Sequence, residues 1–376
     1  MQSIQPYTGV TILDLTHELG SYATRLFADL GATVIRIEPE EGALDRKKIS
    51  AATNLEAKVS AANTFAFRNA SKSSLTFKSS NEEKIENHLK TADLIFLEQG
   101  GLFAERIDEI RGANQKAIIT YISPYGLHKS NAELQANDLT LQAAGGIAWL
   151  SGKADVSPLR LPLEQSAMIT SVYSAVASSA AFFDAEKNNK GHFIEVSAQE
   201  CIAHSLQNAL QVYDLEGRIS SRKGEGTRDA TEDIFPCKDG HMLLASPLSL
   251  GPSWGSLVSW IKETGHTALD TLIRPQWLDP QWRKTSEAKQ EFRNVFSSFI
   301  AQYTKNEIMA QALARKIVMS PINEISDVLD DKQLAHRNYF KKIEFNNNGG
   351  LVTYPGAPYK FSEDIWFISS PPTFES

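Results

Sequence analysis

Hydrophobic and polar positions in the first forty residues follow two different periods. Val10–Leu15 is a short apolar run with β-branched residues, which predicts a buried strand. Over Gly20–Leu30 the apolar residues Ala23, Leu26, Phe27 and Leu30 recur at helical spacing, which predicts a helix with one buried face. Gly31 ends that helix, and Thr33–Ile37 is a second β-branched strand that stops at Glu38-Pro39. The three pieces make a strand–helix–strand unit with a right-handed crossover, the smallest part of a parallel sheet. Ligands of such sheets bind beyond the carboxyl ends of the strands, which puts Thr16, His17, Glu18 and the residues after Glu38 at a site mouth. The turn itself, THELGSY, lacks the GxGxxG glycines, so dinucleotide binding of the dehydrogenase type is not indicated.

Alternation of strand and helix patterns continues. Glu40–Thr64 is polar, contains Arg46-Lys47-Lys48, and reads as a solvated loop or short surface helices. Arg68–Phe77 is a polar turn carrying Lys72 into a strand, an arrangement suited to a phosphate group, although an ordinary surface lysine is the reading the residues alone favour. An amphipathic helix over Asn81–Thr91, a strand over Ala92–Phe96 and another over Lys116–Ser123 follow. Asn137–Gly146 reads as a helix that buries Leu139 and Ala143, with Asp138 as its N-cap. Its small residues Ala144–Gly146 would admit close backbone packing or a ligand. Gln199–Leu215 reads as one helix, with Cys201 and His204 a turn apart as core packing or a nucleophile pair. Gly217–Asp233 is rich in glycine and charge and marks a boundary. Beyond it, Asp233–Met242 predicts a hairpin turning at Asp239-Gly240. The pattern predicts a doubly wound parallel α/β sheet, Rossmann-like, with a second, smaller α+β domain: residues 1–216, then 217–320, then a return segment 321–376.

A chain of 376 residues suffices for one large domain or two ordinary ones. The formal net charge of −7 gives no electrostatic reason to expect nucleic acid or an anionic membrane. Cys201 and Cys237 are the two cysteines, without metal-ligand spacing, so a reducing compartment and neither a disulfide framework nor a metal site are expected. The opening MQSIQPYTG has no signal-peptide pattern, and the serine-laced apolar run at Ala167–Phe183 falls short of a membrane span. These features predict a cytoplasmic, enzyme-sized protein.

Several of these stretches carry a resemblance. Leu13-Asp14-Leu15-Thr16, Ala28-Asp29-Leu30-Gly31-Ala32 and Val34-Ile35-Arg36-Ile37-Glu38 resemble the opening of the family III CoA-transferases of the CaiB/BaiF type, a group that includes the α-methylacyl-CoA racemases. Ser21 stands where that family usually has proline. Asn69–Leu75 resembles N-x-x-K-(R/K)-S-(L/I), and Asp138–Gly146 resembles D-x-x-x-Q-A-x-(S/G)-G. Lys190–Ser197 resembles the end of the family's long helix and the strand after it. Pro321–Phe340 and Tyr354–Ser362 resemble its closing motifs, so nearly the whole chain is covered.

The resemblance implies an interlocked homodimer and a CoA thioester as substrate or ligand, together with a carboxylic acid, and no permanently bound cofactor. It implies CoA-binding roles for His17, Glu18, Lys72 and Arg106, although a helix-surface arginine is the other reading of Arg106. Counting back from Lys190 without a gap, Thr170 and Tyr173 fall in register and the family's nucleophilic aspartate lands on Ala167. Alanine cannot attack a thioester to give the mixed anhydride that such transfer requires. Glu164, three residues earlier, is the nearby carboxylate that could substitute, and Asp138 is the remaining catalytic candidate. The racemases carry a histidine where Asn137 stands, and an amide is no general base, so racemase or epimerase activity is disfavoured. The reading is a class III CoA-transferase-like protein that binds or acts on an acyl-CoA. Its alternative is a non-catalytic acyl-CoA sensor or a partner subunit, in a heterodimer with a catalytic homologue.

Overall fold

A computed structural model describes residues 5–127, 136–152, 156–222, 228–344 and 350–373. The chain forms two compact units, Met1–Arg222 with Tyr339–Ser376, and Lys223–Asn338. The return to the first unit thus falls at Tyr339 and not at 321. The reason is local: Met319–Ile322 pairs as a strand inside the second unit.

The first unit opens with β1 (Thr11–Leu15), α1 (Ser21–Asp29) and β2 (Thr33–Glu38), the expected strand–helix–strand unit. Next come α2 (Leu44–Ala51), α3 (Leu55–Asn69) and β3 (Ser73–Thr76). Asn54 caps α3 by accepting from the Ala57 N–H, so of the two readings of this stretch, loop or short surface helices, the structure has helices. The chain continues through α4 (Glu82–Thr91), β4 (Leu94–Glu98), α5 (Ile107–Ala113) and β5 (Ile118–Ser123). α6 (Asp138–Ala144), α7 (Gln165–Asn188), β6 (His192–Ser197), α8 (Ala198–Ser205) and α9 (Asn208–Glu216) complete it. The helix expected over Gln199–Leu215 is therefore two helices. The break falls at Gln207, whose backbone has φ 26° and ψ −76°, outside helical values.

The six strands form one parallel sheet in the order β3-β2-β1-β4-β5-β6. The order reverses between β1 and β4, which is the switch point where such sheets open a crevice. Buried apolar side chains cover the sheet, including Phe27, Phe96, Ile12 and Leu94 on one side and Leu13, Ile95 and Ile119 on the other. Gly20 lets α1 start hard against the sheet. A Cβ there would meet Ile122 Cδ1 at 2.5 Å and Thr16 Cγ2 at 2.6 Å.

α6 buries Leu141 and Gln142, whereas Leu139 and Ala143 face out. This reverses the expected face because Gln142 reaches inward to hold Leu161, donating to its carbonyl at 3.1 Å and accepting from its N–H at 2.7 Å. Gly145 serves helix packing: a Cβ would meet the Ile202 side chain at 2.5 Å. Among the described residues α7 is the one helix long and apolar enough to cross a membrane, contrary to the shorter run read from the sequence. Its polar residues explain how it serves as a core helix. Thr170, Ser174 and Ser178 are fully buried and donate back to the carbonyls of Ser166, Thr170 and Ser174. A hairpin of β10 (Phe340–Glu344) and β11 (Leu351–Pro355) belongs to this unit as well.

The second unit joins an antiparallel sheet, β7 (Asp233–Cys237), β8 (Gly240–Leu244) and β9 (Met319–Ile322), to six helices. The helices are α10 (Ser253–Thr264), α11 (Ala268–Leu272), α12 (Ser286–Ile300), α13 (Lys305–Arg315), α14 (Ile325–Leu329) and α15 (Lys332–His336). The hairpin turns on Lys238-Asp239, one residue before the expected pair, since Gly240 already pairs with Cys237. Trp254, Trp277, Phe235, Phe292 and Phe296 form its core. Buried Arg283 lies over Trp254 and grips Asp229 with two hydrogen bonds.

Candidate functional site

The turn after β1 is organised by a residue eighty positions away. Glu98, at the end of β4 and fully buried, accepts hydrogen bonds from four consecutive backbone N–H groups: His17 (3.0 Å), Glu18 (3.1 Å), Leu19 (2.9 Å) and Gly20 (3.2 Å). These donors form a backbone nest of the kind that holds a phosphate in dinucleotide-binding folds. Here a side-chain carboxylate fills the nest, which is the physical counterpart of the missing glycine fingerprint.

His17 is anchored beside it, with Nε2 3.0 Å from the Gln99 carbonyl and Nδ1 3.3 Å from Glu98. Burial alone would lower its pKa, but the Glu98 carboxylate and the Gln99 carbonyl outweigh burial and raise it. A cleft of ≈ 390 Å³ opens beyond the carboxyl ends of β1, β2 and β4, lined by Thr16, His17, Pro39, Lys47, Gly101 and Leu102 among others. This is the crevice the sheet order predicts. Thr16 and His17 line it as expected; Glu18 turns away.

Beneath the cleft lies a closed ionic cluster. The Lys72 ammonium, wholly buried, donates to Asp14 Oδ2 (2.7 Å), the Ser21 carbonyl (2.6 Å) and Asn69 Oδ1 (2.7 Å). All three of its donors are taken by the protein. Arg36 joins Asp45 at 2.6 Å and Asn69 at 2.8 Å, and Arg46 grips Glu38 with two hydrogen bonds. Ser21 donates to Asp45, a contact that a proline there could not make. The cluster thus sets Asp14, Glu38 and Asp45 against Lys72, Arg36 and Arg46, with no net charge. Burial lowers the Lys72 pKa to about 8 against the pull of Asp14. Burial acts to raise the Asp14 pKa, yet Lys72 and Arg36 hold it below its ordinary value.

For Glu38, burial also acts upward, but the Arg46 hydrogen bonds and the Arg36 charge bring the pKa from 4.5 to about 2. A carboxyl whose folded pKa lies below its unfolded one stabilises fully above the unfolded value, and that contribution is lost as the pH falls through the folded value. Glu38 is therefore expected to contribute about 3 kcal/mol at neutral pH, vanishing between pH 4.5 and 2. Urea unfolding of the wild type and Glu38→Gln across that range checks it. The gap between the two should close toward pH 2, and a gap independent of pH would contradict the assignment.

The segment before α7 brings together residues from four elements. Leu163 and Glu164 both adopt left-handed backbone angles, φ 66° and 53°, a strained conformation for side chains of this size. The Glu164 carboxylate then lies between two cations, Lys48 Nζ at 3.0 Å and Arg68 Nη1 at 2.8 Å, and Lys48 also reaches Glu18 at 2.5 Å. Burial raises the Glu164 pKa, but Arg68 and Lys48 reverse this and lower it. One turn on, Ala167 is buried in the core of the sheet. Asp138 does not cap its own helix. Asn137 caps α6 by accepting from the Thr140 N–H, and Asp138 accepts from the Ser166 N–H of α7 at 3.0 Å and from Gln142 at 2.8 Å.

The sequence-derived candidates therefore divide. Glu18 and Glu164 converge through Lys48, and His17 adjoins them at the cleft. Lys72 lies in the interior cluster. Arg106 stands apart beside α5, paired with Glu86 at 2.7 Å and Glu109 at 2.5 Å. Cys201 is buried with its thiol pKa pushed up to about 12, and His204 faces the Tyr173 hydroxyl at 2.7 Å, so these two form no nucleophile pair. Among the described residues no group of three His, Cys, Asp or Glu could hold a metal ion. Sequence reasoning missed Glu98, Asp45, Lys48 and Arg68. A signal existed for the ionic cluster: Asp14, Arg36 and Glu38 sit inside strands of a sheet covered on both faces, where a charge must find a partner.

Comparison with known proteins places this geometry. The model of CoA-transferase family III matches residues 7–375. The BbsE subunit of succinyl-CoA:(R)-benzylsuccinate CoA-transferase from Thauera aromatica is 30% identical over 96% of this chain and 90% of its own length. The alpha subunit of succinyl-CoA–L-malate CoA-transferase from Chloroflexus aurantiacus is 23% identical over 95% of this chain and 83% of its own. Among solved structures, a CaiB/BaiF family protein from Brucella suis superposes with a TM-score of 0.82 at 21% identity, covering 98% of this chain and 96% of that one. With a family match across nearly its whole length and a relative of this similarity, the chain belongs to CoA-transferase family III.

Proposed function

We propose that this chain is the subunit without a nucleophile in a family III CoA-transferase, pairing with a second family chain that carries the aspartate, and that it binds a CoA thioester at the cleft beyond β1, β2 and β4. The observation that carries the reading is Ala167. The family's aspartate falls on it in the ungapped register, and its methyl group is packed in the core at 3% exposure. A methyl group cannot form the acyl anhydride.

Other features support the reading. The Thauera and Chloroflexus relatives are themselves named as subunits. α7 and α9 leave Val172, Val176, Phe183, Leu210, Tyr213 and Leu215 exposed, more apolar surface than scattered single residues on a monomer need. A partner chain of the same fold is the occupant the family resemblance suggests, whether a second copy or the aspartate-bearing chain. At the cleft, Lys47 stands at the rim paired with Glu41, and an anionic CoA phosphate could take the lysine in that carboxylate's place.

An enzyme that acts alone through Glu164 is the competing reading. Its carboxylate is spanned by two cations that favour its ionised form and oppose attack by it. Racemase chemistry finds no base at Asn137, whose amide is spent on the α6 cap.

The test is assembly. The purified chain is to be mixed with an aspartate-bearing family III chain, and the mass of the complex measured by light scattering. A mixed dimer that persists through chromatography is the expected result. If the chain keeps to itself and turns over acyl-CoA unaided, the proposal fails. Calorimetric titration with CoA separates the sensor reading, which requires tight binding without any partner.

A further inference from the structure

We propose that Lys48 and Arg68 form a carboxylate-binding site at the start of α7 that Glu164 fills from within, so that the carboxylate of an organic acid competes with Glu164 for the two cations. The site is built from α2, α3 and the left-handed step into α7, and it holds regardless of whether the chain works alone or with a partner.

Three observations carry it. First, Arg68 is almost wholly buried, and among the described residues the Glu164 carboxylate, 2.8 Å from Nη1, is its one ionic contact. A guanidinium has five N–H donors in a planar fork matched to a carboxylate, so a buried arginine that uses so little of it is a receptor with capacity to spare. Second, the two cations take one carboxylate oxygen each, Lys48 on Oε1 and Arg68 on Oε2. A free carboxylate needs the same arrangement. Third, the occupant sits at the surface between two anchors. Glu164 is about one-third exposed and Leu163 before it is largely exposed, while the chain is held on either side, where Gln142 holds Leu161 and Asp138 holds the Ser166 N–H. Its left-handed backbone favours departure, since release removes the strain.

The charges also fit. Glu18 shares Lys48, so the quartet of Lys48, Arg68, Glu18 and Glu164 is neutral. Moving Glu164 into water leaves one uncompensated positive charge, which a monocarboxylate restores. The Asp14 cluster plays no part, as its own charges balance.

Competition has a quantitative signature. A ligand that needs the site vacant sees its apparent affinity reduced by the vacant fraction. If Glu164 occupies the cations nine-tenths of the time or more, removing its carboxylate should tighten acetate binding by about tenfold or more.

The experiment follows the thermal unfolding midpoint of the wild-type protein, Glu164→Ala and Glu164→Gln with rising sodium acetate, each against sodium chloride at equal ionic strength. The expected result is a saturable rise in both variants above the chloride control, with half-saturation at least tenfold below that of the wild type. Adding Arg68→Gln to Glu164→Ala should abolish the rise. The proposal is overturned if acetate does no more than chloride in folded Glu164→Gln, or if the rise survives loss of Arg68. Should the alanine variant not fold, the glutamine variant decides alone, and circular dichroism establishes that it is folded. Acetate lines in its NMR spectrum that broaden no more than with the wild type overturn the proposal equally.

Discussion

By itself, the purified chain is expected to transfer CoA from an acyl-CoA donor to an acceptor acid at least about 10⁴-fold more slowly than its mixture with an aspartate-bearing family III chain. The size of the effect follows from what the nucleophile does. Without a carboxylate at the reacting carbonyl there is no anhydride, and CoA has no carrier between its two acids. Removal of a nucleophile from an enzyme that depends on one costs on the order of 10⁴ to 10⁶ in kcat, far beyond what altered binding explains. The discriminating measurement is which chain becomes labelled. Hydroxylamine trapping or mass spectrometry of the mixture should find acyl or CoA adducts on the partner and none on this chain. An adduct on Glu164 would reverse the assignment and make this chain the enzyme. Substitution of Ala167 by glycine should leave transfer by the mixture within a few-fold, because the methyl group takes no part in it.

Replacement of Lys72 by methionine is expected to cost about 3–5 kcal/mol of folding stability. Methionine is similar in length and apolar, so the cavity is small and the loss is electrostatic. Asp14 would keep its hydrogen bonds from Thr16 and Thr24 but lose its closest cation, and Asn69 Oδ1 and the Ser21 carbonyl would each lose a donor. An uncompensated carboxylate in a dry interior is the costly outcome. Urea unfolding gives the result directly. The family motif invites a phosphate-binding role for the same lysine. A variant as stable as the wild type but with weakened CoA binding would restore that role and remove the ammonium from the cluster.

Much of the first unit was legible because its elements are long, periodic and locally punctuated. The apolar run at Val10–Leu15, the Ala23–Leu30 stripe and Gly31 specify β1, α1 and β2 to within a residue or two. What escaped were decisions made by tertiary contact. Gln142 turns inward because Leu161 needs both its donor and its acceptor, and no local pattern announces this. The stretch at Glu40–Thr64 left loop and short surface helices both open because its helices expose most of their length, so the apolar stripe is thin. The site residues show the same divide. His17 follows from strand topology alone. Lys48, Arg68 and Glu98 meet partners more than seventy residues away, a relation that only the folded chain reveals. Lys72 illustrates the converse: a motif gave the residue type correctly while its surroundings point to a different use.

The nest around Glu98 also bears on how the protein emerges from the ribosome. Its four donors lie within the first twenty residues, yet the acceptor is made some eighty residues later. Until β4 has been synthesised, the turn that starts α1 has nothing but water to bind. The far end of α1 waits longer. The Asp29 position is closed by residues far along the chain: Phe367 donates its N–H to the Asp29 carbonyl, and Gln5 donates to the carbonyls of both Asp29 and Ile365. The first supersecondary unit to leave the ribosome is thus among the last to be completed, and nascent chains stalled short of residue 365 should present α1 with its C-terminal end open to proteases and chaperones.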